Sequence, residues 1–508
     1  MRVDPGANGP GGLEIPALPR GVSLIQVYTD FIRYIYKATK TFFINNTPNG
    51  QQTWSQFERQ IPIIFCTPNG WDISQYTVLA DAAIQAGIVT QDDAEDRLWF
   101  LTEGEASVHY ALAHTETIKW LNDGVVFAVT DVGGSTVDST LYRCVSRTPL
   151  ILEEVCASAC VQAGGIFVDQ TIRSILENRL EGSEYNDAET ISMMTRQFEQ
   201  KAKRAFDGSQ RDSVIQFGSN KDNDTKYNIV KGKITLSNEE VQAAYLAVIS
   251  SITSSCLNLL ANRTAQHLLL VGGFGESPYL KERLKRMLNE RGTEVVTLEE
   301  PSKKAAAEGS VIWYLTELVD GRAARFDYGA VGTRRYNDDR GRYKDKWSRN
   351  DMGISEDDSQ GMQPSMILQM SLKRLSQDTI FNDQWKCTCK RHRRYSTPPN
   401  ASDLGNFTTK IFVWRQKDPA PLILNRDDQS DVVLPPGLEE LFSIEADLGA
   451  LSGSLQQGLN QSAGEPYWTL YFSVDLVFKN MRLMARVRWD EKGVERVGPA
   501  KIIPVTRL

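Results

Sequence analysis

An apolar run from Val125 to Val129 leads into Asp131-Val132-Gly133-Gly134-Ser135-Thr136-Val137-Asp138, and a second apolar run follows as far as Val145. A strand does not run straight through Gly-Gly, so the segment reads as a β-hairpin whose returning strand is Val137 to Val145. The turn holds only small residues and is flanked by two carboxylates. Backbone N–H groups in such a turn can converge on a phosphate while the carboxylates hold a hydrated metal ion beside it. A plain turn and a phosphate clamp are both compatible with this pattern, and a hairpin tip can be both.

A second glycine loop narrows the choice. Leu268 to Val271 reads as a buried strand, Gly272-Gly273 lets the backbone turn or approach a ligand closely, and Ser277-Pro278 opens a helix as N-cap and first helical residue. Leu280, Leu284, Met287 and Leu288 follow at helical spacing, so that helix has an apolar face.

With both loops in place the chain resembles the heat shock protein 70 branch of the actin-like ATPase superfamily. Asp131 to Asp138 is similar to that family's second phosphate loop, and Val271 to Pro278 to its adenosine loop. Thr67-Pro68 resembles the family's proline-bearing strand end, and Leu101 to Ala106 its first interlobe connection. Gly164-Gly165 and the helix Phe198 to Phe206 resemble further nucleotide-side elements. Phe274, Ser277 to Leu280, Ala305 to Tyr314, Ile444 to Leu448 and Ala450 to Leu455 resemble the divergent member-12-like branch, which has no conventional peptide-binding domain.

The resemblance implies an α/β fold, an actin-like (ribonuclease H-like) two-lobed nucleotide-binding domain lacking part of the first lobe, with a mostly β C-terminal module. It implies ATP and magnesium as ligands. Gly133, Gly134, Ser135 and Thr136 would bind the β and γ phosphates, Asp131 and Asp138 would hold magnesium through water, and Glu103 would orient the attacking water. Lys203 and Arg204 would lie along the base, with Gly165, Gly272 and Gly273 giving it room. Turn capping is the competing reading for Asp138, and a helix-start acid for Glu103.

The pattern is also departed from. No Asp-x-Gly-Thr-Thr loop of the family's first phosphate type occurs before residue 60. Glu276 stands at the position of the family's adenine-stacking arginine, Ile166 and Ser302 replace acids, and Gly104 replaces a proline. Losing two charge-assisted hydrogen bonds would cost about 3 to 6 kcal/mol, enough to move a micromolar ligand toward millimolar. The expectation is therefore an N-terminally truncated, ATP-binding chaperone-type protein impaired in hydrolysis. The alternative is a non-catalytic interaction protein on an actin-like scaffold.

Composition limits the partners. In 508 residues there are 57 Lys and Arg against 64 Asp and Glu, a net charge of -7, which gives no broad basic face for nucleic acid. No run reaches the ~18 apolar residues of a membrane span, and Met1 to Gly12 lacks a signal-peptide pattern, so a cytoplasmic or nuclear protein with protein clients or co-chaperones is expected. Cysteines such as Cys66, Cys144 and Cys256 sit in apolar runs and read as reduced core residues.

Along the chain, residues 1–21 read as disordered, 22–327 as the ATPase domain, 328–405 as a charged linker or insertion, and 406–508 as the β-rich module. Leu24 to Ile35, Tyr76 to Ala86, Glu189 to Phe206 and Val241 to Leu260 read as helices, and Ile61 to Cys66 as a strand. Glu199 and Lys203 are spaced to pair on their helix. Asn406 to Trp414, Leu438 to Leu448 and Tyr467 to Trp489 read as strands, the last turning at Lys479-Asn480. Cys387, Cys389 and His392 offer three zinc ligands where four are needed, amid cations, so a solvated basic strand is favoured over a metal site.

Overall fold

The computed structural model describes residues 18–114, 119–261, 263–297, 304–316, 319–335, 366–370, 380–381, 386–416, 425–426, 432–459, 465–479 and 482–504. It is a mixed α/β chain with several sheets, and it divides into two units, Met1–Ala323 and Ala324–Leu508. The expected disorder of 1–21 falls almost wholly outside the described residues, as does most of the charged stretch after Arg335.

In the first unit the order is α1 (Leu24–Asn46), α2 (Gly50–Phe57), β1 (Ile63–Thr67), α3 (Ile73–Gln85), α4 (Ala94–Arg97), β2 (Leu98–Thr102) and α5 (Glu103–His114). There follow β3 (Val126–Val132), β4 (Val137–Arg147), β5 (Leu150–Glu154), β6 (Ala159–Val161), α6 (Gly165–Arg179), α7 (Ala188–Gln197) and α8 (Lys203–Ala205). The unit ends with β7 (Ser213–Gln216), β8 (Lys233–Leu236), α9 (Asn238–Leu260), β9 (His267–Val271), α10 (Pro278–Asn289), β10 (Glu294–Thr297), α11 (Ala305–Thr316) and β11 (Val319–Ala323).

The expected hairpin is present. β3 and β4 pair antiparallel, with Asp131 opposite Asp138 and Val132 opposite Val137. β3 also pairs parallel with β9, which sets Asp131 beside Val271, so the ends of these strands carry the two glycine loops side by side. The sheet runs β10-β9-β3-β4-β5-β11, with β6 on β4.

Strand alternation assigns its faces. Ala128, Val132, Val137 and Leu141 pack with α6, α9 and α10 through Phe167, Val248 and Leu284. Phe127, Val129 and Tyr142 pack on the other face with Val108, Ala111 and Leu112 of α5. Asp131 and Asp138 fall in register with this second set, so both carboxylates stand on the α5 face. Elsewhere β1 and β2 form a parallel pair with Thr67 opposite Thr102. That register brings Asn69, just past β1, and Glu103, just past β2, to the same end as the hairpin tip.

Several helix boundaries follow from their caps. Ser237 and Glu240 form a capping box at the start of α9, Asp72 and Gln75 one at α3, and Ser277 accepts from Leu280 N–H with Pro278 opening α10. The helix expected from Glu189 to Phe206 is continuous, but Phe198–Ala202 winds as a π-turn between α7 and α8. This wider turn moves Lys203 off the expected Glu199 pairing. Its ammonium instead reaches Asp169 on α6 at 2.5 Å.

The second unit is dominated by a nine-stranded sheet. Its path runs Met366–Met370, Asp327–Arg335, Asn406–Trp414, Leu438–Asp447, Val494–Pro504, Arg482–Glu491, Pro466–Lys479 and Lys386–Tyr395, with Gln456–Leu459 on the Pro466–Lys479 strand. Every pairing in it is antiparallel. Leu470, Phe472, Val474 and Leu476 are buried, as are Leu483, Ala485 and Val487, which matches the face read from the alternation. The span 328–405 is more than a linker, because Asp327–Arg335 and Lys386–Tyr395 are members of this sheet.

Candidate active site at the glycine loops

The site begins with a conflict of charge. Asp131 and Asp138 are directly opposite in the ladder and on one face, where like charges repel. Asp131 accepts a hydrogen bond from Ser107 Oγ on α5 at 2.7 Å, and burial nevertheless pushes its carboxyl above the usual range. Asp138 accepts from the Asn69 N–H at 2.6 Å. Its other oxygen, Oδ2, is buried and makes no hydrogen bond of good geometry, although the Cys160 thiol and Thr136 hydroxyl lie close enough to favour the charged form. Burial still dominates, with the nearby Asp131 adding to it, and raises Asp138 to about 6.

Glu103 completes the group. It is the first residue of α5, one turn before Ser107, so both project toward the sheet end. Burial first, and then the charges of Asp138 and Asp131, push its carboxyl up to about 8. Burial is the largest cause in each, and all three carboxyls, from three elements, lie above their ordinary range with no cation partner among the described residues. Burial without a cation is what a carboxylate cluster shows when its counter-ion is a ligand.

Asn69 organises this corner. Besides its N–H on Asp138, its side chain donates to Thr140 Oγ1 at 3.1 Å and accepts from the Gly104 N–H at 3.1 Å. Gly104 has to be glycine here, since a Cβ would lie 2.7 Å from Thr140 Oγ1 and 2.9 Å from Asn69 Nδ2.

The hairpin tip is held from the opposite face. Gly133 N–H closes the turn on Thr136 O at 3.0 Å. The N–H groups of Gly164, Gly165 and Ile166, at the start of α6, donate to the carbonyls of Ser135, Gly133 and Gly134 at 3.0, 3.2 and 2.9 Å. These bonds fix the tip and use up the free donors of the helix end. The N–H groups of Gly134, Ser135 and Thr136 have no acceptor among the described residues, and Gly134 and Ser135 are exposed.

The expected base side differs. Phe274 and Gly275 N–H both donate to Val132 O, at 2.9 and 3.1 Å, which anchors the second loop to the end of β3. Gly272 has φ of +88°, and a Cβ there would collide with Asp131 Oδ1, so its missing side chain serves close packing on the acid and leaves no open room. Gly165 faces the Phe274 ring. Lys203 is bound to Asp169 and to Gly165 O, while Arg204 and Gly273 are exposed.

The structure thus joins Glu103, Asp131, Asp138 and Gly133 to Thr136 in one corner, and sets Gly165 and Lys203 on the far face of the sheet. Sequence reading missed Asn69, Ser107 and Asp169. Ser107 could have been found from its i+4 spacing to Glu103, whereas the bonds that define Asn69 run to residues far along the chain.

Among the described residues no group of three or more His, Cys, Asp or Glu side chains is arranged to grip an ion directly. The aspartates suit a cation held through its own water, and the unpaired Asp138 Oδ2 supplies an acceptor for such a water. In the second unit Cys387 and Cys389 are buried on one face of their strand, whereas His392 falls on the other and packs against Tyr471, which separates the three zinc candidates. No family profile matches the chain, and no curated protein matches it.

Proposed function

We propose that this protein binds a magnesium-bound nucleoside triphosphate, ATP in the first instance, at the tip of the β3–β4 hairpin, as a chaperone-type protein of the heat shock protein 70-like, actin-like class. The observation that carries this reading is the cluster of Glu103, Asp131 and Asp138, largely buried, raised above their ordinary range and without a cation partner among the described residues, beside a glycine tip with free N–H groups. The parallel β3–β9 pairing supports it, since it sets a second glycine loop at the same sheet end. The parallel β1–β2 pair would belong to the first lobe in this reading.

In this arrangement Gly134, Ser135 and Thr136 donate N–H groups to phosphate oxygens, and the hydroxyls of Ser135 and Thr136 add further donors. Asp131 and Asp138, positioned by Ser107 and Asn69, are the residues that would hold magnesium through its water. Magnesium supplies charge neutralisation for the phosphate chain. Glu103 would accept a hydrogen bond or a proton from water at the same end if a bound cation lowered its proton affinity.

In-line transfer needs charge neutralised on both sides of the moving phosphoryl group, and only one phosphate-loop sequence of the family's pair occurs in these 508 residues. Binding without appreciable turnover is therefore the activity proposed for this polypeptide. The non-catalytic scaffold reading is favoured by one observation, the consumption of the α6 N-terminal donors by the tip itself.

Calorimetric titration of ATP with magnesium, on the unaltered chain and on Asp131→Ala and Thr136→Ala, tests the reading. The magnesium-dependent affinity should disappear in both variants while the circular dichroism spectrum stays unchanged. Equal affinity in all three proteins would leave the hairpin tip as a turn and nothing more.

A further inference from the structure

The packing beyond the hairpin tip bears on which part of a nucleotide is recognised. A Cβ at Gly165 would lie 3.2 Å from both Cγ and Cδ2 of Phe274, so ring and backbone are already in contact there. Phe274 is 8% exposed and cannot drift, because its own N–H and that of Gly275 are fixed on Val132 O. Its ring packs tilted on Tyr245 with centroids 5.8 Å apart. Tyr245 stacks in turn on Phe206 at 5.4 Å, stands edge-on to Tyr279 at 5.3 Å, and donates its hydroxyl to Lys203 O at 2.9 Å.

The polar groups nearby are occupied too. Lys203 Nζ is 2.5 Å from Asp169 Oδ2 and 3.3 Å from Gly165 O. Gly272 abuts Asp131 and the Val132 backbone. At the place the resemblance would give a purine, between α6 and the second loop, the Phe274 ring is packed on Gly165 and Lys203 is paired with Asp169. At the hairpin tip, by contrast, Gly134 and Ser135 are exposed and their N–H groups have no acceptor among the described residues.

We infer that this protein recognises the magnesium-bound polyphosphate end of its ligand without reading the base, and that Phe274 sets this specificity. The inference rests on the phosphate-clamp reading above and deepens it. The ligand class becomes any nucleoside triphosphate or inorganic tripolyphosphate.

Calorimetry on the full chain with the magnesium salts of ATP, GTP and inorganic tripolyphosphate provides the test. The three dissociation constants are expected within about threefold of one another, far below the roughly tenfold or greater discrimination of a site that reads a base. ATP binding at least about tenfold tighter than both others overturns the inference and leaves the clamp standing. Absence of binding by all three overturns both.

Phe274→Ala should open the space and tighten ATP about fivefold or more relative to tripolyphosphate. Phe274→Leu, smaller in its cost to the core, takes its place if the alanine variant does not fold. An unchanged ATP-to-tripolyphosphate ratio in a folded variant removes Phe274 from the account.

Discussion

Asp138 in the first unit and Asp475 in the second are both buried aspartates on strands, and their acidities move in opposite directions. Burial pushes the Asp475 carboxyl upward, but Arg488, Lys386 and Thr388 more than reverse it and leave the group below the usual range. The partners are close: Lys386 Nζ at 2.7 Å, Arg488 Nε at 2.9 Å and the Thr388 hydroxyl at 2.7 Å. Asp138 has the Asn69 N–H and the nearby Cys160 and Thr136 side chains but no cation, and burial, with Asp131 adding, raises it to about 6. A sheet can thus bury an acid as a finished ion pair or as an unfinished one, and on the reading proposed above a cation would complete the unfinished one.

The contrast predicts opposite signs for the same substitution. Asp475→Asn removes the charge that two cations share and should destabilise the protein by about 2 to 3 kcal/mol. Asp138→Asn relieves an uncompensated buried charge and should stabilise the ligand-free protein at pH 8 by about 1 to 2 kcal/mol. Urea denaturation of both variants beside the parent protein reads this directly, and two shifts of like sign would break the distinction.

Glu103 sharpens it through pH. Its carboxyl is raised from the ordinary 4.5 to about 8, so the folded state holds a proton that the unfolded chain releases. That stability is fully present below pH 4.5 and is lost as pH climbs through about 8. Glu103→Gln should flatten this part of the stability profile and be more stable than the parent at pH 8 by on the order of 2 kcal/mol. Parallel profiles for the two proteins would show that Glu103 is ionised throughout.

Ser107 is a positioning residue. Losing its 2.7 Å bond to Asp131 should raise that carboxyl further and move the pH midpoint of magnesium-dependent binding upward in Ser107→Ala, with affinity at high pH reduced no more than about tenfold. A uniform loss at every pH would make its role purely structural. Smallest of all is the expected effect of zinc. With His392 on the opposite face from Cys387 and Cys389, added zinc should leave the melting temperature unchanged.

Much of this was legible in the residues, because the relevant signals are local. Gly133-Gly134 can only turn, Ser277-Pro278 can only open a helix, and the alternation around Leu470 and Leu483 fixes a buried face. The register placing Asp131 against Asp138 also follows from the length of the turn. The packing of Lys203 and Phe274 was not legible. It depends on a π-turn at Phe198–Ala202 that redirects Lys203 to Asp169, and on Phe274 meeting Gly165 across more than a hundred residues of chain. Asn69 escaped for the same reason, since its three bonds reach Asp138, Thr140 and Gly104.

The central claim is that the acids at the hairpin tip are waiting for a cation that arrives with phosphate. Its most direct test is calorimetry of ATP binding at pH 6.5 and pH 8, each with magnesium and with EDTA, in buffers of different ionisation enthalpy. Magnesium-dependent binding accompanied by proton release, with more protons released at pH 6.5 than at pH 8, is the predicted result. Binding of equal strength in EDTA, or with no proton exchanged at either pH, would contradict it.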